Sequence, residues 1–143
     1  VTYAFSLPLQ EAIHARLTQD PVIAGLVAGR IHDDPPHTAT RTGEGLPYIV
    51  LGDEEVDAWS TATDRGALHA VQISIVSGQR GFAGLKRIAQ AVCDAMLGPL
   101  DLTRGRVVNA TFLAGRTRRI GKDALRRLDL RFRLAIEDDV SAT

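Results

Sequence analysis

Cysteine is almost absent: Cys93 stands alone in 143 residues, so no disulfide can form within the chain. That economy suits a reducing compartment, or an assembly built in one. Long apolar runs are missing too. No stretch approaches the roughly 18 residues of a membrane-spanning helix. The opening "VTYAFSLPLQEAIHARL" lacks the basic flank and long apolar core of a signal peptide, and no membrane partner is expected. What is present is the composition of an ordinary soluble globular protein, 45% hydrophobic and 24% charged. The length suits one domain with a real core, so residues 1–143 read as a single domain.

Net charge is zero, but the charges are unevenly spread. Residues 1–70 hold ten Asp and Glu against four Arg, and residues 71–143 hold thirteen Lys and Arg against seven Asp and Glu. Two opposite halves can attract copies of one another or a polarised neighbour, unless folding interleaves them.

Along the chain, Leu9, Ile13 and Leu17 recur every four residues with Ala12 beside them, which predicts a first helix after Pro8. Asp20-Pro21 reads as an N-cap and helix start, with a short second helix ending near Gly29. Residues 30–33, "RIHD", allow a brief strand. The Pro-rich "DPPHTATRTGEGLP", residues 34–47, is a connection too long to be incidental. "YIVLG" is apolar on both parities and predicts a strand covered on both faces. The acidic "DEEVD" and polar "AWSTATDRG" follow, then "LHAVQISIVSG" with Val71, Ile73 and Ile75 in phase: a long β-hairpin.

"GFAGLKRIAQAVCDAMLG" predicts the clearest helix, with Phe82, Leu85, Ile88, Ala89, Val92 and Met96 on one face and Gly98 as its stop. "RVVNATFLAG" then predicts a strand with Val108, Ala110, Phe112 and Ala114 inward. In "LRRLDLRFRLAIED", residues 125–138, Leu128, Leu130, Phe132, Leu134 and Ile136 share one parity, while Arg127, Asp129, Arg131 and Arg133 share the other. The expected fold is α+β, a mostly antiparallel sheet of about four strands with helices packed on one face. Its order is α-α-β-β-α-β-β, with one further strand if "RIHD" pairs. The last strand, residues 126–136, would span roughly 36 Å at about 3.3 Å per residue. The main helix, residues 81–97, would span about 25 Å at roughly 1.5 Å per residue. Part of that strand is therefore expected to lie uncovered by its own chain, and to be covered by a partner.

No catalytic constellation emerges. His14 falls on the flank of the first helix, and His69 shares the parity of Val71, as a half-buried strand residue would. His32, Asp33, Asp34 and His37 have ligand-type side chains, but two prolines stiffen the spacer and no further Cys or His follows close by, so they read as a turn. The acidic Asp53, Glu54, Glu55 and Asp57 alternate between sheet faces and do not converge. Gly78, Gly81 and Gly84 lack both the Walker lysine and the dinucleotide spacing, and read as a tight strand-to-helix turn. Cys93 sits near an apolar helix stripe, and Ser60, Thr61 and Thr63 have no histidine near in sequence and no nucleophile elbow.

The basic segment is the strongest remaining signal. Arg116, Arg118, Arg119, Lys122, Arg126, Arg127, Arg131 and Arg133 face only Asp123 and Asp129. Phosphate, a protein carboxylate or plain water could each meet such a row. No base-stacking aromatic shares the arginine parity, which argues against single-strand recognition. An acidic protein surface, such as the other half of a second copy, is the favoured partner. A small nucleic-acid-binding domain is the alternative. The candidate interface residues are Asp53, Glu54, Glu55, Asp57, Trp59 and Arg65 on the hairpin, with Arg127, Arg131 and Arg133 on the last strand. Trp59 is either an anchor for a partner or a lid on the domain's own core.

The series "LPYIVLGDEEVDAWSTATDRGALHAVQISIVSGQRGFAGLKRIAQAV" resembles the tail-completion, or tail-terminator, proteins of long-tailed phages and phage-like gene transfer agents. An early helix, a Pro-rich loop, "PYIVLG", a Trp-Ser-Thr hairpin, "VQISIVS", a Gly- and Arg-containing turn, a helix and a late "LRFR" strand carry the likeness, over residues 5–136. The resemblance implies a structural protein and not an enzyme. Such proteins form a hexameric ring on the head-proximal end of the tail tube, stop its polymerisation and dock to the head-side stopper or connector. The implied partners are further copies of the chain, the tail tube protein and the stopper, with DNA passing through the channel without sequence-specific binding. The implied location is the virion or phage-like particle, assembled in the bacterial cytoplasm. No cofactor and no metal are implied. The loop at 34–46 has no counterpart in this likeness.

Overall fold

In the computed structural model, described over residues 3–34, 46–59, 66–78, 82–120 and 125–138, two helices open the fold. α1 (Ser6–Gln19) buries Leu9, Ala12, Ile13 and Leu17, the face that the four-residue spacing predicts. α2 (Pro21–Val27) begins where the Asp20 carboxylate accepts from the backbone N–H groups of Val22 at 2.9 Å and Ile23 at 3.1 Å. Pro21, which has no N–H to satisfy, takes the first helical position. The helix ends where Ala28 and Gly29 turn to positive φ.

The strands are β1 (Ile31–His32), β2 (Tyr48–Ala58), β3 (Gly66–Ser77), β4 (Arg106–Ile120) and β5 (Leu125–Glu137), with α3 (Ala83–Met96) between β3 and β4. They form one sheet in the order β1-β2-β3-β5-β4, antiparallel except where β1 runs parallel to β2. The brief strand at "RIHD" is therefore real. Ile31 pairs with Ile49 and His32 with Val50, which brings the sheet to five strands.

One face of the sheet carries the core. Val71, Ile73 and Ile75 on β3 lie opposite Phe132, Leu130 and Leu128 on β5. Over them pack Leu85, Ile88, Val92 and Met96 of α3 and the apolar stripe of α1. The double-sided burial expected of "YIVLG" is also found. Ile49 enters the main core, while Tyr48 and Val50 cluster on the other face with Val76 and Leu46.

Two expectations fail. First, no part of the apolar parity of β5 is left for a partner, because Leu128, Leu130, Phe132, Leu134 and Ile136 are all buried within the chain. The cover that α3 cannot reach comes from the start of α1. Phe5, fully buried, lies so close that a Cβ on Gly105 would sit 2.8 Å from its ring and 2.9 Å from Ile136. Gly105, at φ +84°, permits that approach.

Second, β4 points only part of the set Val108, Ala110, Phe112 and Ala114 inward: Ala110 and Phe112 stand opposite the buried Leu134 and Phe132 on the helix side, and Ala114 does not. Val108 and Phe112 are 42% and 45% exposed, Ala114 is exposed, and Ala110 alone is half-buried against the core. The register with β5 slips between Val107 and Asn109, and again between Phe112 and Ala114. Each bulge inserts one residue and reverses the alternation. Beyond the second bulge Ala114 stands opposite Arg131, on the face away from the helices.

Removing the Phe5 ring should expose the end of β5. Phe5→Ala is expected to lower unfolding free energy by about 3–5 kcal/mol, as large core truncations do, measured by urea denaturation of the two proteins side by side.

Candidate functional site

The sheet face away from the helices is open, and it is charged. Arg127, Asp129, Arg131 and Arg133 lie along β5, opposite Arg118, Arg116, Ala114 and Thr111 of β4. On the other side they meet Val76, Ser74, Gln72 and Ala70 of β3, beyond which lie Glu55 and Asp57 of β2. Acid and base thus share one face, at opposite margins.

Asp129 is the centre of its one tight network. It accepts from Ser74 Oγ at 2.6 Å and Arg127 Nε at 2.7 Å, with Arg118 Nε at 3.6 Å. Arg127 also donates to Ser74 Oγ at 3.1 Å. Burial raises the Asp129 carboxyl, but these hydrogen bonds and the two guanidinium charges outweigh it and hold it below its ordinary range. Arg131 donates to the Gln72 side-chain carbonyl at 3.3 Å. Arg133 is exposed and makes no ion pair among the described residues.

The acidic run divides between the faces, as its alternation predicts. Glu54 turns to the helix side, where it accepts from Ser6 and Tyr3 of the first turn and meets His69 Nδ1 at 3.0 Å. Burial pushes the Glu54 carboxyl up, yet the hydrogen bonds from His69 and Ser6 and the His69 charge leave it below its ordinary value. His69 is not half-buried but fully enclosed, 6.4 Å from the Phe5 ring. Asp53, Glu55 and Asp57 are exposed and carry no ion pair among the described residues. Trp59 leans on the backbone of its own hairpin, where a Cβ on Gly66 would lie 2.1 Å from its ring. Arg65, Ser60, Thr61, Thr63, His37 and most of the 34–46 loop lie outside the described residues.

Among the described residues, the candidate chemistry-bearing groups are not brought together. His32 stacks against Tyr48 at 5.8 Å, and Asp33 and Asp34 are exposed. No cluster of three metal-ligating side chains exists among the described residues. Burial and the neighbouring Asp94 raise the Cys93 thiol, which keeps it protonated and unreactive. The gap between α1 and the β2–β3 hairpin, lined by Leu9, Ile13 and Leu51, holds about 40 Å³, too little for a substrate.

The feature missed in the sequence is the length and edge position of β4, which the residue pattern predicts only over "RVVNATFLAG". It is the outermost strand, fifteen residues long, with Val108, Phe112 and Leu113 exposed and Arg116, Arg118 and Arg119 exposed beyond them. The adjacent apolar pairs Val107-Val108 and Phe112-Leu113 break strict alternation, and they coincide with the two bulges.

Comparison with known proteins supplies context for this charged, open sheet. A family model described as "Tail completion protein gp17" matches residues 11–137. Among solved structures, a chain of the "Virion of native gene transfer agent (GTA) particle" is similar, with 39% identity and a TM-score of 0.83. The match covers 95% of this chain and 99% of that one. No curated protein matches the chain.

The Asp129 network has an acid-sensitive signature. A carboxyl held below its unfolded value contributes stability that is complete above about pH 4 and is lost as pH falls through the folded value. Asp129→Asn should therefore be less stable than the unaltered chain at neutral pH. The gap should narrow as pH falls below the ordinary carboxylate range, read by urea denaturation at a series of acid pH values.

Proposed function

We propose, on the premise that this chain belongs to the tail completion protein gp17 family, that its copies close into a hexameric ring on the head-proximal end of a tail tube. The ring stops tube polymerisation, joins the tail to the head-side stopper and leaves a channel for DNA. The chain is thus a structural component of a phage or gene transfer agent particle, assembled in the bacterial cytoplasm. The observation that carries this reading is the 39% identity over 95% of the chain to a component of a gene transfer agent virion.

The geometry supports an assembly role. A closed ring needs two different, mutually complementary surfaces on each copy, because its contacts are heterologous. This chain offers acid at one margin of its open face and arginine at the other. The hairpin from Asp53 to Arg65 and the Arg127–Arg133 stretch are the interface elements, with neighbouring subunits or with the rings stacked above and below. Within that set the free side chains have the larger part. Glu54 and Arg127 are engaged inside the chain, whereas Asp53, Glu55, Asp57 and Arg133 are available. Arg131, held only by neutral Gln72, keeps its charge for a carboxylate.

Negative-stain images of the concentrated chain, alone or with tail tube protein, are expected to show hexameric rings. A chain that stays monomeric with tube protein present, and binds duplex DNA with an affinity falling steeply with salt, would overturn the reading in favour of direct phosphate binding. The double variant Arg131→Glu/Arg133→Glu should melt like the unaltered chain. It should need at least about tenfold more protein to form or cap rings, because it places like charges together at a contact.

A further inference from the structure

Both outer edges of the sheet carry a stretch of regular strand that nothing pairs among the described residues. On β4, the register with β5 is unbroken from Ala114 to Ile120, after the second bulge. No described strand lies on the far side of it. On the opposite margin, β1 pairs with β2 only at Ile49 and Val50, so the regular run from Glu54 to Ala58, beyond the β2 bulge, is also bare among the described residues. Bulges ordinarily blunt an edge against pairing. Here they mark off two straight segments and leave those segments free.

The two segments are matched in direction, face and charge. β2 and β4 run in opposite senses, since β2 is antiparallel to β3, β3 to β5 and β5 to β4. A second copy in the same orientation therefore presents its β2 antiparallel to β4 of the first. Arg116 and Arg118 stand on the open face, two residues apart; Glu55 and Asp57 stand on the same face with the same spacing. Arg119 and Glu54 both fall on the helix side. Neither Arg116 nor Arg119 makes an ion pair among the described residues, and Arg118 reaches Asp129 only at 3.6 Å.

We propose that Ala114–Ile120 of one copy adds to the Glu54–Ala58 edge of the next, continuing the sheet from subunit to subunit. In the register that pairs both open-face arginines, Arg116 faces Asp57, Thr117 faces Val56 and Arg118 faces Glu55 of the next copy, while Arg119 comes level with Glu54, which His69 and Ser6 already hold. A one-residue slip puts each arginine on the wrong face. A two-residue slip moves Arg118 to Asp53, inside the β2 bulge, and Arg119 to Gly52. Within its own copy Thr117 lies level with Ile49, through Leu128 and Ile75, whereas in the neighbour it lies level with Val56. Successive copies thus step along the strand direction, and the strands of a closed ring lie oblique to its axis, as closing a sheet demands. Arg131 and Arg133 of β5 stay on the open face, outside this edge contact. This proposal rests on the reading that copies join head to tail.

Two variants test it together. Arg116→Glu/Arg118→Glu reverses one edge, and Glu55→Arg/Asp57→Arg reverses the other. Each alone should fail to form rings at a concentration where the unaltered chain succeeds. An equimolar mixture should restore them, because each altered edge then meets its complement. A second readout does not depend on charge. In a Cys93→Ser background, Arg116→Cys copies mixed with Asp57→Cys copies should yield a disulfide-linked dimer on mild oxidation of assembled rings. Directly opposed strand residues lie within disulfide reach. Arg116→Cys with Val56→Cys, which points to the other face, should not cross-link. Rings that form without the expected cross-link, or that neither reversal disturbs, overturn the edge pairing and leave the ring reading standing. An unaltered chain that never assembles, even with tube protein, overturns both.

Discussion

The antiparallel pairing of β3 with β5 runs without a slip from Gly66 opposite Glu137 to Ser77 opposite Arg126, and the rest of the molecule is referenced to it. Its register is held by apolar alternation on both strands at once. Ile73 meets Leu130 and Ile75 meets Leu128 under α3, and a shift of one residue would drive Arg131 and Asp129 into the core. Because neither central strand can slide, the strands outside them inherit a fixed frame. Irregularity is confined to those flanks, with one bulge on β2 and two on β4.

The two faces of this frame are organised by different physics. Under the helices, burial dominates, and the enclosed His69 meets Glu54 through Nδ1 while its Nε2 has no partner among the described residues; Glu54 also holds Ser6 and Tyr3 and so ties the start of α1 to β2. That tie sets Phe5 over the end of β5. On the open face, solvent screens the charges, so only groups locked by hydrogen bonds are specific in position. Asp129, shared by Ser74 and Arg127, is such a group. The remaining charges on that face gain little from their own chain and are correspondingly available to another.

Elements whose pattern is local were legible in the sequence. The stripe of α1, the cap at Asp20, the apolar face of α3 and the alternation of β3 and β5 all depend on spacing within a single segment. The cover over β5 was not, because Phe5 lies outside the periodic stretch of α1 and reaches Ile136 only through the fold. β4 was misread because alternation was assumed to continue through Val107-Val108 and Phe112-Leu113, where each bulge resets it. Of the candidate interface residues, the division of the acids between faces was readable from parity. Which arginines are held and which are free was not, since that depends on Ser74 and Gln72, on a strand distant in sequence.

The bulges of β4 also bear on how such a strand can change over evolutionary time. Most residue insertions or deletions inside a sheet are ruinous, because they rotate a buried face into water. β4 is different: its side chains past Phe112 are solvent-exposed as far as Arg119, and among the described residues its ties to the core are Val107, Ala110 and the edge-on contact of Phe112 with Phe132. Loss of the single residue Leu113 would remove the bulge and let Phe112 and Ala114 follow one another opposite Phe132 and Arg131, leaving Arg116 and Arg118 on their present face and the β3–β5 frame untouched. The outermost strand can therefore absorb a one-codon event at its bulge without turning its charge pattern to the other side of the sheet.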